Sequence, residues 1–411
     1  MAFISSQRLI DLARIAAIVA CVGLLYSPSV GTIGLVVTYV AFLASGQAVS
    51  RFKAVLVRPL VYWGVAFLGV VLLGMVYASV PWHDRWTDFY KWRTILWFCV
   101  ALAIFDEECW KERLLVIFLI GTAVAVVGSF VSAAGWVTFR RGPHELLRNN
   151  GTQGMAFACA ALVCAWVMLE KKTLGLVSWI WPVFAALYIV NVIFITDARS
   201  GYAVLGVGLF MLLCWKASWS QRVLIVVGFI VAGGLVFAVS PRMQGKVRAA
   251  VVEWTTESKL ERETSFGLRR VFYTNSVEIL RDHWLLGLGT GGFAQAYGDH
   301  VSKKYEASDW RAVHTTDPHN QYLAVAIQQG IGGVVVFLVW IAAVARERES
   351  RGDYHRLAVA ILAGWCVTSL FSSHFRTFAE GHLLATFLGV LLAVEPRSIQ
   401  AKPVAAMSKE A

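Results

Sequence analysis

Residues 315–345 read TTDPHNQYLAVAIQQGIGGVVVFLVWIAAVA. From Gln321 to Ala345 no side chain carries a charge. About 20 apolar residues, each rising about 1.5 Å, cross a hydrocarbon core roughly 30 Å thick, so this stretch can span a membrane. The pattern recurs along the chain. Of 411 residues, 58% are hydrophobic and 15% charged. With a mean hydropathy of +0.62, that composition excludes an ordinary soluble domain. We expect an all-α polytopic integral membrane protein with about 12 transmembrane helices. They lie near residues 9–26, 29–47, 59–80, 93–106, 114–136, 151–169, 174–196, 200–215, 223–240, 319–345, 357–373 and 379–395.

This divides the chain into residues 1–240 with nine spans, 241–318 as a large outer segment, 319–395 with three spans, and 396–411 as a cytoplasmic tail. Arg8, Arg14, Arg51, Lys53, Arg58, Lys111, Arg113, Lys171, Lys172, Lys216 and Arg346 fall in alternate connections. The positive-inside bias then places both termini in the cytoplasm. Arg85, Arg93, Arg140, Arg141, Arg148, Arg199 and Arg376 run against it, and such a cost on the outer face points to an anionic ligand. The first span carries Asp11 and Arg14 and lacks a small-residue cleavage site, so it reads as a retained anchor. All seven cysteines lie within spans or at their cytoplasmic ends, so no structural disulfide is expected, and no spacing resembles a zinc site.

Segment 241–318 is too long for a plain connection and reads as folded. Met243–Lys259 and Leu268–His283 mix apolar and charged positions as amphipathic helices do, with Val271, Phe272, Ile279 and Leu280 as candidate buried positions. The run Gly287-Leu288-Gly289-Thr290-Gly291-Gly292 lacks the Lys-Ser/Thr of a nucleotide-binding loop and reads as a flexible turn.

Asp317 followed by Pro318 resembles an N-cap with proline at the first helical position, which puts His319 in the first turn. Tyr322, Ala326, Gly330 and Gly333 then share its face, and small residues there admit a neighbouring helix. Two readings stand equal on these residues: an interfacial polar residue above a packing stripe, and a general base with a pKa near 6.5.

Arg199 sits between two apolar spans with almost no loop, and an ionisable residue so placed is a functional candidate. Arg269 and Arg270 open the second amphipathic helix, and Arg148 stands before a span. Guanidinium forks match phosphate oxygens, whereas Arg140 and Arg141 read as snorkelling to headgroups. Asp84 and Asp88 are too sparse for a hard cation, and Trp82, Trp86, Tyr90 and Trp92 suggest an aromatic belt. His374, Arg376, Glu380 and His382 form a secondary polar group. No metal, cofactor or nucleic-acid partner is expected.

The stretch His319-Asn320, nine residues, then Gly330-Ile331-Gly332-Gly333 resembles the signature of the O-antigen ligases, membrane enzymes of Gram-negative bacteria related to the O-antigen polymerases. The likeness extends to the twelve-span layout, Arg199-Ser200-Gly201 at a span start, Arg269 heading a helix, and Leu286-Gly287-Leu288-Gly289. It covers most of residues 190–345. The resemblance implies an inner-membrane enzyme akin to the GT-C-type glycosyltransferases, with a mostly helical periplasmic segment. It would transfer polysaccharide from undecaprenyl pyrophosphate to a sugar hydroxyl of lipid A-core, among membrane lipids. His319 would then be the base, and Arg199 and Arg269 would stabilise the departing pyrophosphate. Arg148, Arg270, Asn320 and Asp317 would help to bind substrate. A phosphate leaving group needs little acid catalysis and no divalent metal, and one in-line displacement inverts the anomeric centre. The alternatives are a polymerase with a lipid-linked acceptor and a transporter of lipid-linked glycan. Polar residues gathered at the outer face rather than the midplane argue against transport.

Overall fold

The computed structural model describes residues 5–139, 142, 144–172, 174–196, 198–241, 243–245, 247–248, 251, 265–350 and 352–394. Arg140, Arg141, most of the expected helix Met243–Lys259 and the tail 396–411 lie outside the described residues. Among those described, helices dominate. They are α1 (Ser6–Tyr26), α2 (Pro28–Ala44), α3 (Ala48–Leu56), α4 (Pro59–Tyr77), α5 (Trp82–Lys91), α6 (Arg93–Ile104), α7 (Glu108–Ala133) and α8 (Asn150–Leu169). Then come α9 (Ile180–Val190, extended by a π turn Asn191–Ile195), α10 (Arg199–Cys214), α11 (Trp219–Val239), α12 (Ser265–His283), α13 (Phe293–Lys304), α14 (Gln321–Ala345), α15 (Asp353–Thr368) and α16 (Phe378–Leu391).

A helix stands at each of the twelve expected positions. Six of them, α1, α4, α7, α8, α11 and α14, are long and apolar enough to cross a membrane by length and composition, and α2 with α3 forms a further candidate bent by 100°. With this many apolar helices the chain is a multi-pass membrane protein.

Small residues set how closely the helices pack. A Cβ on Gly201 of α10 would lie 2.9 Å from the Gly154 backbone of α8, and one on Gly364 of α15 would lie 2.8 Å from Val204. Close backbone approach of this kind holds helices together where lipid offers no hydrophobic contrast. The α8 helix is almost wholly buried, whereas no residue of α11 is buried.

One end of the bundle is knit by ion pairs. Arg14, fully buried, meets Asp11 at 2.9 Å, Asp106 at 2.6 Å and Glu107 at 2.8 Å. Arg51 joins Asp106 at 2.9 Å, Arg58 reaches Glu347 at 3.4 Å, and Arg356 pairs with Glu170. The opposite end carries α12 and α13 packed on α14.

Two expectations are corrected there. Helix α14 starts at Gln321, so His319 precedes it. The glycine run is pinned rather than free: Leu288 N donates to Ile327 O at 2.8 Å, Gly289 N to Gln328 O at 2.9 Å, and Thr290 N to Gly74 O at 3.0 Å. Ile331 N in turn donates to Trp284 O at 2.9 Å. The gap that admits this loop is Gly330, at φ 63° and ψ −169° inside α14. Only glycine tolerates that backbone, and a side chain there would collide with Leu285 O. Gly330 therefore receives a loop, not a neighbouring helix.

Candidate active site

Two short polar side chains compete to cap α14, and the sequence alone does not rank them. Asn320 wins: its Oδ1 accepts from Tyr322 N and Leu323 N, both at 3.0 Å. Asp317 instead caps the preceding turn, its Oδ1 accepting from His319 N at 2.8 Å. Caught between the caps, His319 adopts φ 56°, a left-handed backbone that costs a non-glycine residue about 1–3 kcal/mol and persists only where the surroundings enforce it. Its ring leaves the α14 face and stacks on Phe272 of α12, centroids 5.5 Å apart and planes 19° apart. The Tyr273 hydroxyl is placed to donate to His319 O at 3.0 Å or Leu370 O at 2.8 Å.

Burial pushes the His319 imidazole below its ordinary pKa; Asp317 opposes this and Arg269 adds to it. The ring is thus neutral at neutral pH and able to accept a proton. Burial alone would raise the Asp317 carboxyl, but the charge of Arg376 and hydrogen bonds from Ser373 and His319 N outweigh it, so the group stays below the usual carboxylate range. Ser373 Oγ donates to Asp317 Oδ1 at 2.7 Å, and Arg376 Nη2 lies 3.3 Å from Oδ2.

Arg269 lies three and four residues before Phe272 and Tyr273, on one face of α12. Burial first, then the like charge of Arg199, makes its guanidinium a less comfortable cation. Residues 70 positions apart in sequence are thereby linked electrostatically: the Arg199 charge is felt at Arg269, and the Arg269 charge at His319. Arg199 opens α10 and is exposed. The N-terminus of α8 adjoins it, since a Cβ on Gly151 would stand 4.0 Å from Ser200 Oγ. The N-termini of α8 and α10 thus adjoin, with the Arg199 cation at one of them, an arrangement suited to anions. Arg148, just ahead of α8, donates its backbone N–H to Leu25 O at 2.8 Å and lies 5.6 Å over the Phe378 ring. Among the described residues Arg148, Arg199 and Arg269 have no carboxylate partner. Arg270 is exposed beside Arg269.

The side-chain oxygens of Asn320 and Asp317 are committed to capping, so both hold the site's shape. Residues to which the sequence reading gave no role or only a secondary one in the site complete it. Phe272 and Tyr273 pack on and bond to the His319 turn. Arg376, ranked secondary on sequence, ties Asp317 to Asp88 of α5, with Nη1 3.1 Å from each Asp88 oxygen. His374 is buried with Nδ1 unpartnered. Burial lowers its pKa against the opposing charges of Glu380 and Asp317, and Arg269 adds to the lowering. The only advance signal for this group was the cluster of ionisable residues after the eleventh span. Among the described residues no three His, Cys, Asp or Glu side chains group to hold a metal ion.

A multi-pass helical bundle that carries neighbouring cations and an imidazole at one end is suited to a membrane protein that handles an anionic ligand. Residues 183–338, from within α9 to within α14, match the family model described as O-antigen ligase. The segment includes Arg199, Arg269, Arg270, Asp317, His319 and Asn320, and leaves Asp88, Arg148 and Arg376 outside. No curated protein matches the chain.

Proposed function

We propose that the protein transfers O-antigen polysaccharide from undecaprenyl pyrophosphate to a sugar hydroxyl of lipid A-core. The reaction takes place at the periplasmic face of a Gram-negative inner membrane, in a twelve-span protein of GT-C type with both termini cytoplasmic. The observation that carries this reading is that the charges of Arg199 and Arg269, which have no carboxylate partner among the described residues, act on one another, and that Arg269 acts on His319, whose ring is held below its ordinary pKa.

The acceptor oxygen attacks the anomeric carbon from the face opposite the phosphate while His319 takes its proton. The bond from the anomeric carbon to the phosphate oxygen breaks, and undecaprenyl pyrophosphate leaves with its electron pair. Arg199 and Arg269 stabilise the charge that develops on it, with Arg148 and Arg270 assisting. Fixed guanidinium groups do the work a divalent ion does elsewhere, so no metal is needed, and a single displacement inverts the anomeric centre.

Purified protein, lipid-linked donor and lipid A-core test the reading by product formation in detergent with a chelator present. New lipid A-linked polysaccharide is expected at an undiminished rate. Activity that chelation abolishes and magnesium restores would sink the metal-free step. Chains that lengthen without lipid A-core would make the enzyme a polymerase, and an absence of any new glycosidic bond would favour a transporter.

A further inference from the structure

His319 holds an unfavourable backbone conformation, so something rigid must fix the turn that carries it. Asp317 grips the His319 amide, and Asp317 in turn is gripped by Ser373 and Arg376. Arg376 is buried, and its other contact is Asp88, 288 residues away in sequence, reached at 3.1 Å through both carboxylate oxygens. Asp88 also accepts from Lys91 at 2.6 Å and from the Gln328 side chain. Gln328 closes the circuit by accepting from Gly291 N at 2.8 Å. One buried guanidinium therefore joins α5, the turn before α16, the His319 turn and, through Asp88, α14 and the glycine run. Helix α5 is itself anchored: Trp82, Trp86 and Tyr90 are 65%, 59% and 54% exposed, as in an interfacial aromatic belt, while Asp88 points inward at 6%.

We infer that Arg376 is a positioning residue for the transfer reaction, braced by Asp88, and that through Asp317 it sets both the place of His319 and the charge His319 feels. This rests on the reading of His319 as the base. Arg376 touches no reacting atom. The charges that act on His319 are Asp317 of its own turn and Arg269 of α12; Phe272 stacks on its ring and Tyr273 is placed to bond its carbonyl, while Arg376 and His374, in the turn before α16, bear on Asp317. Removing either end of the brace changes the balance among them in opposite senses. Without Arg376, the Asp317 charge is uncompensated and favours imidazolium. Without the Asp88 charge, Arg376 is answered by Asp317 alone, so the Asp317 charge is more fully compensated and favours imidazolium less.

The test compares Arg376→Gln, Asp88→Asn and His319→Gln with the full-length wild type in detergent, using lipid-linked donor and lipid A-core across a pH series. Both brace variants should lose about 10- to 100-fold in kcat, as a misplaced catalytic group does, with both KM values within about twofold. The acid limb of kcat should move up by roughly half a pH unit in Arg376→Gln and down by a similar amount in Asp88→Asn. A purely structural brace would lower activity and leave the limb where wild type has it, and that result overturns the inference. Should Arg376→Gln fail to fold, Asp88→Asn, nearly isosteric and leaving the Arg376–Asp317 pair intact, decides alone by the direction of its limb. His319→Gln separates the two levels. If it is inactive while both brace variants keep the wild-type limb, only the brace falls; if it turns over normally, the base falls and the brace with it.

Discussion

Arginine is used in opposite ways at the two ends of this bundle. At one end, Arg14, Arg51, Arg58 and Arg356 are each answered by carboxylates from other helices or turns, so that charge serves as a tie between elements. At the other, Arg148, Arg199 and Arg269 have no carboxylate among the described residues, and two of them repel each other. Like charges left together cost stability, and such a cost is sustained when a substrate of opposite charge completes the site. Arg376 is the exception that fits the rule. It lies at the His319 end but is paired on two sides, and it belongs with the ties.

Substitutions break the comparison at different strengths. Replacing His319 by Ala should lower glycan transfer by about 10²- to 10⁴-fold, the range of a general base, with the thermal midpoint in detergent little changed; near-normal turnover would remove it from the chemistry. Arg199→Ala and Arg269→Ala should each cost about 10²- to 10³-fold in kcat, the scale of a lost oxyanion-type donor. Their Lys versions should recover little, because an ammonium lacks the planar fork. Arg14→Ala should invert the pattern. It leaves Asp106 with Arg51 alone and removes about 1–3 kcal/mol of stability through the lost charged hydrogen bonds, visible as a lower melting temperature, while the molecules still folded keep their turnover. If Arg14→Ala lowers kcat at constant stability, the division between the two ends is wrong.

A smaller effect concerns pH. His319 has a depressed pKa, so it is protonated only when pH falls through that lowered value, and below it the base is lost. The acid limb of the rate profile should thus lie below the ordinary histidine value of about 6.5. A limb above it would mean that Asp317 dominates over burial and Arg269.

The apolar helices were legible because the bilayer imposes a length and a composition that the chain cannot disguise. The helix Ser265–His283 was legible from its mixed faces, whereas Phe293–Lys304 was not, having a glycine at its middle and few apolar positions. The start of α14 was misread for a local reason: Asp317 and Asn320 are comparable caps, and the choice was made by Arg376 and Ser373, which hold Asp317 elsewhere. The arginines proposed for the site stand out in the sequence as isolated charges in awkward places. Asp88 could not, because its meaning depends on a partner 288 residues away.

The broken backbone at Gly330 has a mechanical consequence. The chain leaving α12 is stitched by backbone bonds into the notch of α14 and onto α4, so the shoulder bearing Arg269 and the column beneath His319 are parts of one casting. Such a joint does not swing. On the proposed reading, the spacing between cation and imidazole is then set by the fold before either substrate arrives.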